Sequence, residues 1–365
     1  MPQNRPNNYN WSNIDRSRAA TRLRQEAAYT LRQNGVSYIE IARQLGYVDA
    51  LGNPKAQSAA EAVRAVARRM ALGNSTTTDY SVANGEFPML PSNRTFGFEA
   101  EFFGITPTEA TAALAAIGIT APYVGYNHDV STNTVSGWKL VYDQSVNGRG
   151  TGLGRGMELV SPVLRGEEGL VLAAKAVNAL QNAGGKTDKT CGLHIHIGMD
   201  GLTGKQIVKT LDLYSANQEH INKLIARSRW TNIYCQPMDR YTRNSNTVVA
   251  FENADSASDT RRLRPTLSHY DRYHAVNLAS YAKYGTVEFR QHQGTLNGEK
   301  VTSWVKFLMA MVEKSVTMDT ATDLTSLDGL LNGLPLHSET RTFLTRRAER
   351  LERSRDEARA RATSN

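Results

Sequence analysis

Four short runs of this sequence alternate apolar and ionisable residues, a pattern that places charge on one face of a strand. In Phe96-Gly-Phe-Glu-Ala-Glu-Phe-Phe103 a strand sends Phe96, Phe98, Ala100 and Phe102 to one side. Glu99 and Glu101 go to the other, about 7 Å apart. Leu193-His-Ile-His-Ile197 groups His194 with His196, and Thr286-Val-Glu-Phe-Arg-Gln-His292 groups Glu288, Arg290 and His292 against Val287, Phe289 and Gln291. Gly156-Met-Glu-Leu-Val-Ser-Pro162 presents Glu158 alone. Any one run by itself reads as the solvated face of an antiparallel strand. Together they supply four carboxylates, two or three imidazoles and one arginine, with no lysine. Carboxylates converging on one sheet repel one another unless cations lie between them. An oxygen-rich donor set suits a hard divalent cation such as Mg²⁺ or Mn²⁺. The chemistry within reach is that of a divalent cation held among carboxylates and imidazoles. A metallohydrolase in which His194, His196 and an acid hold Zn²⁺ is an alternative, although no third histidine is obvious and the carboxylates exceed what zinc needs.

The runs "FGFEAEFF", "MELVSPVL", "CGLHIHIGM" and "NLASYAKYGTVEFRQHQGT", in that order and spacing over roughly residues 94–318, resemble the amidoligase family. That family is a branch of the glutamine synthetase and glutamate-cysteine ligase superfamily of carboxylate-amine ligases. The resemblance implies an ATP-dependent ligase that joins a carboxylate to an amine through an acyl phosphate, with Mg²⁺ or Mn²⁺. It implies Glu99, Glu101, Glu158, His194 and Glu288 as metal ligands and His196 near the nucleotide. Arg290 would hold the transferred phosphoryl group, so that Arg290, Glu99 and Glu288 form the catalytic set. Trp138 and Asp143, in "WKLVYDQS", resemble a further stretch of the family. The chain lacks the extra domain and long loops by which glutamine synthetase closes its ring, so neither ammonia as acceptor nor a dodecamer follows. The fold implied is α+β, a glutamine synthetase-like curved antiparallel sheet with helices on one face.

Other residues near these runs read differently. Gly148-Arg-Gly-Thr-Gly-Leu-Gly-Arg-Gly156 reads as a hairpin loop or lid before Met157, because no P-loop lysine follows it. Strand alternation puts Cys191 on the face of Leu193, away from His194, which points to a buried structural thiol and not a nucleophile. Asn277 and Arg272, in "DRYHAVNLASY", precede the last charged strand and are candidate substrate contacts.

The 365 residues suffice for two or three domains. Apolar residues make up 40% and charged residues 21%, a soluble globular composition, and no apolar run approaches a membrane span. The N-terminus has no apolar leader, and two cysteines, Cys191 and Cys235, fit a reducing cytoplasm, that of the host if the gene is phage-encoded. Net charge is +8 and sits at the ends. Residues 1–72 hold 11 Lys/Arg against 5 Asp/Glu, and residues 339–365 hold 8 against 5, which leaves 24 against 25 between them.

The basic N-terminal part predicts three helices after a disordered stretch over 1–12. The first spans 15–34; the second carries Ile41, Ala42 and Leu45 behind a Ser37/Glu40 capping box; the third spans 55–71, with Ala59, Val63, Val66 and Met70 on one face. "GVSYIEIARQLGY" leading into a basic helix resembles a helix-turn-helix module of the phage and transposase kind over 13–72, apart from a long connection from Tyr47 to Pro54. That implies nucleic-acid binding, most simply DNA, through Lys55, Arg64 and Arg68; a helical dock for a protein partner is the alternative. A Gly/Ser/Thr-rich linker over 73–93, a catalytic domain over 94–335 and a basic helical tail over 336–365 complete the layout. A nucleic-acid-binding structural or virion protein with a degenerate ligase fold is the rival to an enzyme. The identity of the acid and amine, whether small molecule, peptide or protein side chain, is not written in the sequence, nor is the oligomeric state.

Overall fold

The structure is a computed structural model that describes residues 28, 32, 37–45, 47–48, 53–70, 90–125, 137–146, 156–238, 245–269, 272–318 and 324–363. It divides into two compact units, Met1–Thr76 and Thr77–Asn365.

In the first unit α1 (Tyr38–Leu45) and α2 (Ala56–Met70) pack through Ile41, Ala42, Leu45, Ala59, Ala62 and Val63, with Ala28. Ser37 Oγ accepts from the Glu40 N–H at 3.4 Å, so half of the capping box forms. The Glu40 carboxylate turns instead to Arg43 and to Gln44, 3.1 Å away. Of the first expected helix only Ala28 and Arg32 are described, both helical. Tyr47 to Pro54 is closed by a bridge between Val48 and Pro54.

The second unit is mixed α+β. Its sheet contains β1 (Phe96–Phe102), β2 (Lys139–Tyr142), β3 (Met157–Val160), β4 (Gly192–Gly198), β5 (Val276–Asn277) and β6 (Thr286–Gln293). They run in the order β2-β3-β1-β4-β6-β5, each neighbouring pair antiparallel. The helices between them are α3 (Pro107–Ala115), α4 (Gly166–Asn182), α5 (Gly204–Ala216), α6 (Gln218–Asn222), α7 (Asn246–Glu252), α8 (Ala257–Arg262) and α9 (Ser280–Tyr284). After β6 come α10 (Gly298–Thr317), α11 (Leu327–Gly333) and α12 (Ser338–Thr363).

Period-two alternation decides which face meets the helices. Phe96, Phe98, Ala100, Phe102, Leu140, Leu159, Leu193, Ile195, Val287 and Phe289 join one apolar core with the buried faces of α4, α5 and α10. Burying a large apolar side chain there contributes about 1.5–3 kcal/mol. α10 is buried continuously from Val301 to Val312, packing on α4, α5 and β4. A Cβ at Gly298 would stand 2.8 Å from the Ala174 Cβ, so glycine is what lets α10 start against α4.

Two elements depart from the sequence expectation. The basic helical tail is not separate from the domain: in the first half of α12 Leu344, Ala348 and Arg347 are buried. In β6, Ile195 pairs with Phe289 but Leu193 pairs with His292, so Arg290 and Gln291 both stand opposite His194. That β-bulge reverses the alternation. His292 therefore leaves the charged face and lies in the core, its ring 5.0 Å from that of Trp304 on α10.

Candidate active site

The face of the sheet opposite α4, α5 and α10 carries the charged residues, and strand register brings them together. Glu101 stands directly across from Glu158, Glu99 from His194, and His196 from Glu288. Glu101, Glu158, His194 and Glu288 are all under one-tenth exposed. His194 is central: its Nδ1 lies 3.2 Å from Glu99 Oε2 and 3.6 Å from Glu288 Oε1, and its Nε2 lies 3.6 Å from Glu101 Oε1. Glu101 also accepts the Gly192 N–H at 2.5 Å. Glu288 accepts from Asn277 Nδ2 at 2.6 Å and pairs with Arg290, whose Nε donates to the Tyr234 carbonyl at 3.2 Å.

The ionisation of these groups follows from burial and neighbours. Burial pushes Glu158 well above the usual carboxylate range, and the charges of Glu99, Glu101 and Asp143 push it further. Burial likewise raises Glu101, with Asp143 adding to it, against the pull of His194, the Gly192 N–H and Arg229. Glu99 goes the other way: burial opposes its charge, but the neighbouring His194, which hydrogen-bonds it, and His196 hold it well below the usual range. Glu288 is also lowered, burial being outweighed chiefly by Arg290 and His196. His196 is raised, because Glu99 and Glu288 overcome its desolvation.

Two overlapping sets have the spacing of cation ligands: Glu99 with His196 and Glu288, and Glu99 with Glu158 and His194. In each, the ligand atoms lie within 4.8 Å of one another. His196 Nε2 is buried without a hydrogen-bond partner, 3.5 Å from Glu99 Oε1. An orphaned imidazole nitrogen beside clustered carboxylates is what a divalent cation would satisfy. Glu99 is common to both sets. Glu101 belongs to neither and holds β4 through Gly192.

Of the remaining sequence candidates, Asn277 reaches the site through Glu288, whereas Arg272 is exposed and lies over the Tyr273 ring. Trp138 packs edge-on against Phe98, and Asp143 accepts from the Ser145 N–H and hydroxyl, each at 2.7 Å. Cys191 is buried and donates to Asp188 at 3.8 Å, and burial pushes its thiol up to about 12. Residues 148–155 of the glycine-rich run lie outside the described residues. Lys55 and Arg64 are exposed in the first unit, and the Arg68 side chain lies outside the described residues. The motifs did not point to Lys139 or Arg229. Lys139 lies on β2 within electrostatic reach of Glu99 and Glu158, and Arg229 within reach of Glu101. Lys139 shares the face of Glu158, but its short strand carries no second ionisable residue on that face, and Arg229 sits in a 3₁₀ turn remote in sequence from the charged runs.

Among the described residues no helix is long and apolar enough to cross a membrane. A search of curated proteins finds no match. Among solved structures, a bifunctional glutathione synthetase from Pasteurella multocida aligns with 71% of this chain at 11% identity and a TM-score of 0.34. The aligned part is 47% of that protein, and a likeness of this degree carries no functional argument. Residues 92–312 match the family described as "Putative amidoligase enzyme". That span is more than half of the chain and contains every one of the clustered acidic and histidine residues, so the chain belongs to the amidoligase family.

Proposed function

We propose that the second unit is an ATP-dependent carboxylate-amine ligase on a glutamine synthetase-like sheet. The observation that supports it most is the convergence of Glu99, Glu158, His194, His196 and Glu288 in two cation-sized sets next to Arg290. A carboxylate does not condense with an amine at neutral pH, because hydroxide is a poor leaving group. In the reaction we propose, a substrate carboxylate oxygen attacks the γ-phosphorus of ATP, the bond to the β-phosphoryl oxygen breaks, and ADP leaves. The amine then attacks the acyl carbon, phosphate departs, and the amine proton passes to a carboxylate or to water.

Divalent cations, when bound, would offset the repulsion between two approaching anions. The residues that would hold them are Glu99, Glu158 and His194 in one set and Glu99, His196 and Glu288 in the other, with Glu101 behind His194. Arg290 has one side occupied by Glu288 and its Nε fixed on the Tyr234 carbonyl. A guanidinium held this way needs no reorganisation as charge spreads over the transferred group.

The test is phosphate release from ATP with Mg²⁺ and a mixed pool of amino acids and amines. Glu99→Gln and Glu288→Gln should each abolish it while the fold persists, because an amide keeps the shape and loses the charge. Turnover unchanged in both variants would refute the assignment. For the first unit we propose nucleic-acid binding through Lys55, Arg64 and Arg68, supported by the excess of basic over acidic residues in 1–72.

A further inference from the structure

Arg290 is held on its main chain as well as at its guanidinium. Its N–H donates to the Ala275 carbonyl at 2.8 Å. Its own carbonyl lies at the bulge, one residue past Phe289, where pairing with the two-residue β5 ends. There it accepts from Arg229 Nη2 at 2.8 Å. Arg229 comes from the 3₁₀ turn Arg227–Arg229 and is 2% exposed.

Arg229 passes close to Gly192. A Cβ there would meet Arg229 Nη2 and His194 Nε2 at 3.0 Å each and Glu101 Oε1 at 3.4 Å, so the guanidinium passes over β4 beside the carboxylate cluster. Among the described residues Arg229 forms no ion pair, and its Nε is buried without a hydrogen-bond partner. A buried arginine with no carboxylate in salt-bridge contact is costly, and stability alone would favour an apolar side chain there. The same segment supplies the Tyr234 carbonyl to Arg290 Nε.

We propose that Arg229 is a positioning residue for Arg290: by taking the carbonyl at the bulge it fixes the backbone from which the Arg290 guanidinium reaches the phosphoryl group. This rests on the ligase reading above. Its effect is on turnover, not on loading of the cations. Removing a positive charge next to Glu101 leaves cation binding as tight as before or slightly tighter, whereas general loosening of the site would weaken it.

The experiment uses the full chain and Arg229→Met, Arg229→Lys and Arg347→Met variants. Arg347 is also buried, and it donates to the Leu224 carbonyl and to His292 on the core side of β6. The R347M variant therefore controls for lost stability. R229M should lower kcat for ATP-dependent phosphate release by about 100-fold, with KM for ATP and Mn²⁺ affinity within about threefold of wild type or tighter. R229K should recover at least about tenfold of that loss, since an ammonium can still donate to the carbonyl. R347M should lower the melting temperature and leave kcat in place. Equal kcat losses in R229M and R347M, or weaker Mn²⁺ binding in R229M, would overturn the proposal. Hydrogen exchange over 286–291 supplies a readout independent of turnover: it should quicken in R229M relative to β1, and unchanged exchange overturns the proposal. Wild-type protein with no ATP turnover would refute the ligase reading alone.

Discussion

Replacing Glu158 by Gln should stabilise the protein without metal and cost it the stability that metal confers. Glu158 is buried across from Glu101, and its carboxylate lies within 4.8 Å of a ligand atom of Glu99. Two unit charges at that distance repel by about 3.5 kcal/mol at an effective dielectric of about 20. Relaxation and partial protonation of Glu158 leave roughly 1–3 kcal/mol of this, on the order of 5 °C in melting temperature for a unit of this size. Folding raises the Glu158 pKa, so across the window above the usual carboxylate value the native state binds more protons than the unfolded state. Wild type therefore loses stability as pH rises through that window, and E158Q escapes this loss. With Mn²⁺ at about 100 times its dissociation constant wild type should gain about 2.7 kcal/mol, which E158Q largely forgoes. Thermal unfolding in EDTA and in Mn²⁺, followed at two pH values, reads both effects. E158Q melting below wild type in EDTA, or gaining as much from Mn²⁺, would refute the reasoning.

Other outcomes follow from the same geometry. His292→Ala should cost about 2–4 kcal/mol in urea unfolding, through a cavity beside Trp304 and a lost partner for Arg347, with Mn²⁺ affinity unchanged; a tenfold loss of affinity would return His292 to the site. Native protein should leave Cys191 and Cys235 unreacted with a thiol reagent at pH 8, both being buried, and denaturant should release both; a fast-reacting native thiol would contradict this. If the first unit binds DNA as proposed, anisotropy titrations of the full chain should show affinity falling by about one logarithmic unit of slope per phosphate contacted. Salt-insensitive affinity, or no binding at low salt, would leave a protein-docking role.

The strands and most of the candidate site were legible because a period of two is a strong constraint. Once Phe96, Phe98, Ala100 and Phe102 must face a core, Glu99 and Glu101 have one place to go. The same holds for His194 and His196 between Leu193, Ile195 and Ile197. What alternation could not show was where it breaks. His292 has the spacing of a site residue, and only the extra residue opposite His194 turns it inward to Arg347 and Trp304. A bulge depends on pairing with another strand and leaves no mark in β6 itself. Arg229 was missed for a related reason: its hydrogen bond is to a backbone carbonyl 61 positions away, a contact that no local spacing encodes. In α12 the buried pair Leu344 and Ala348 keeps helical spacing but is outnumbered by Arg and Glu, so composition concealed a core-facing stripe.

The central claim is that the acid is activated by phosphorylation of its carboxylate, and oxygen transfer tests it most directly. Protein supplied with Mg²⁺, ATP, amines and a pool of carboxyl-¹⁸O-labelled acids should form ADP and inorganic phosphate that carries one ¹⁸O, in step with amide formation. The label should vanish with Glu288→Gln. Phosphate released without label, or AMP and pyrophosphate in place of ADP, would contradict the account.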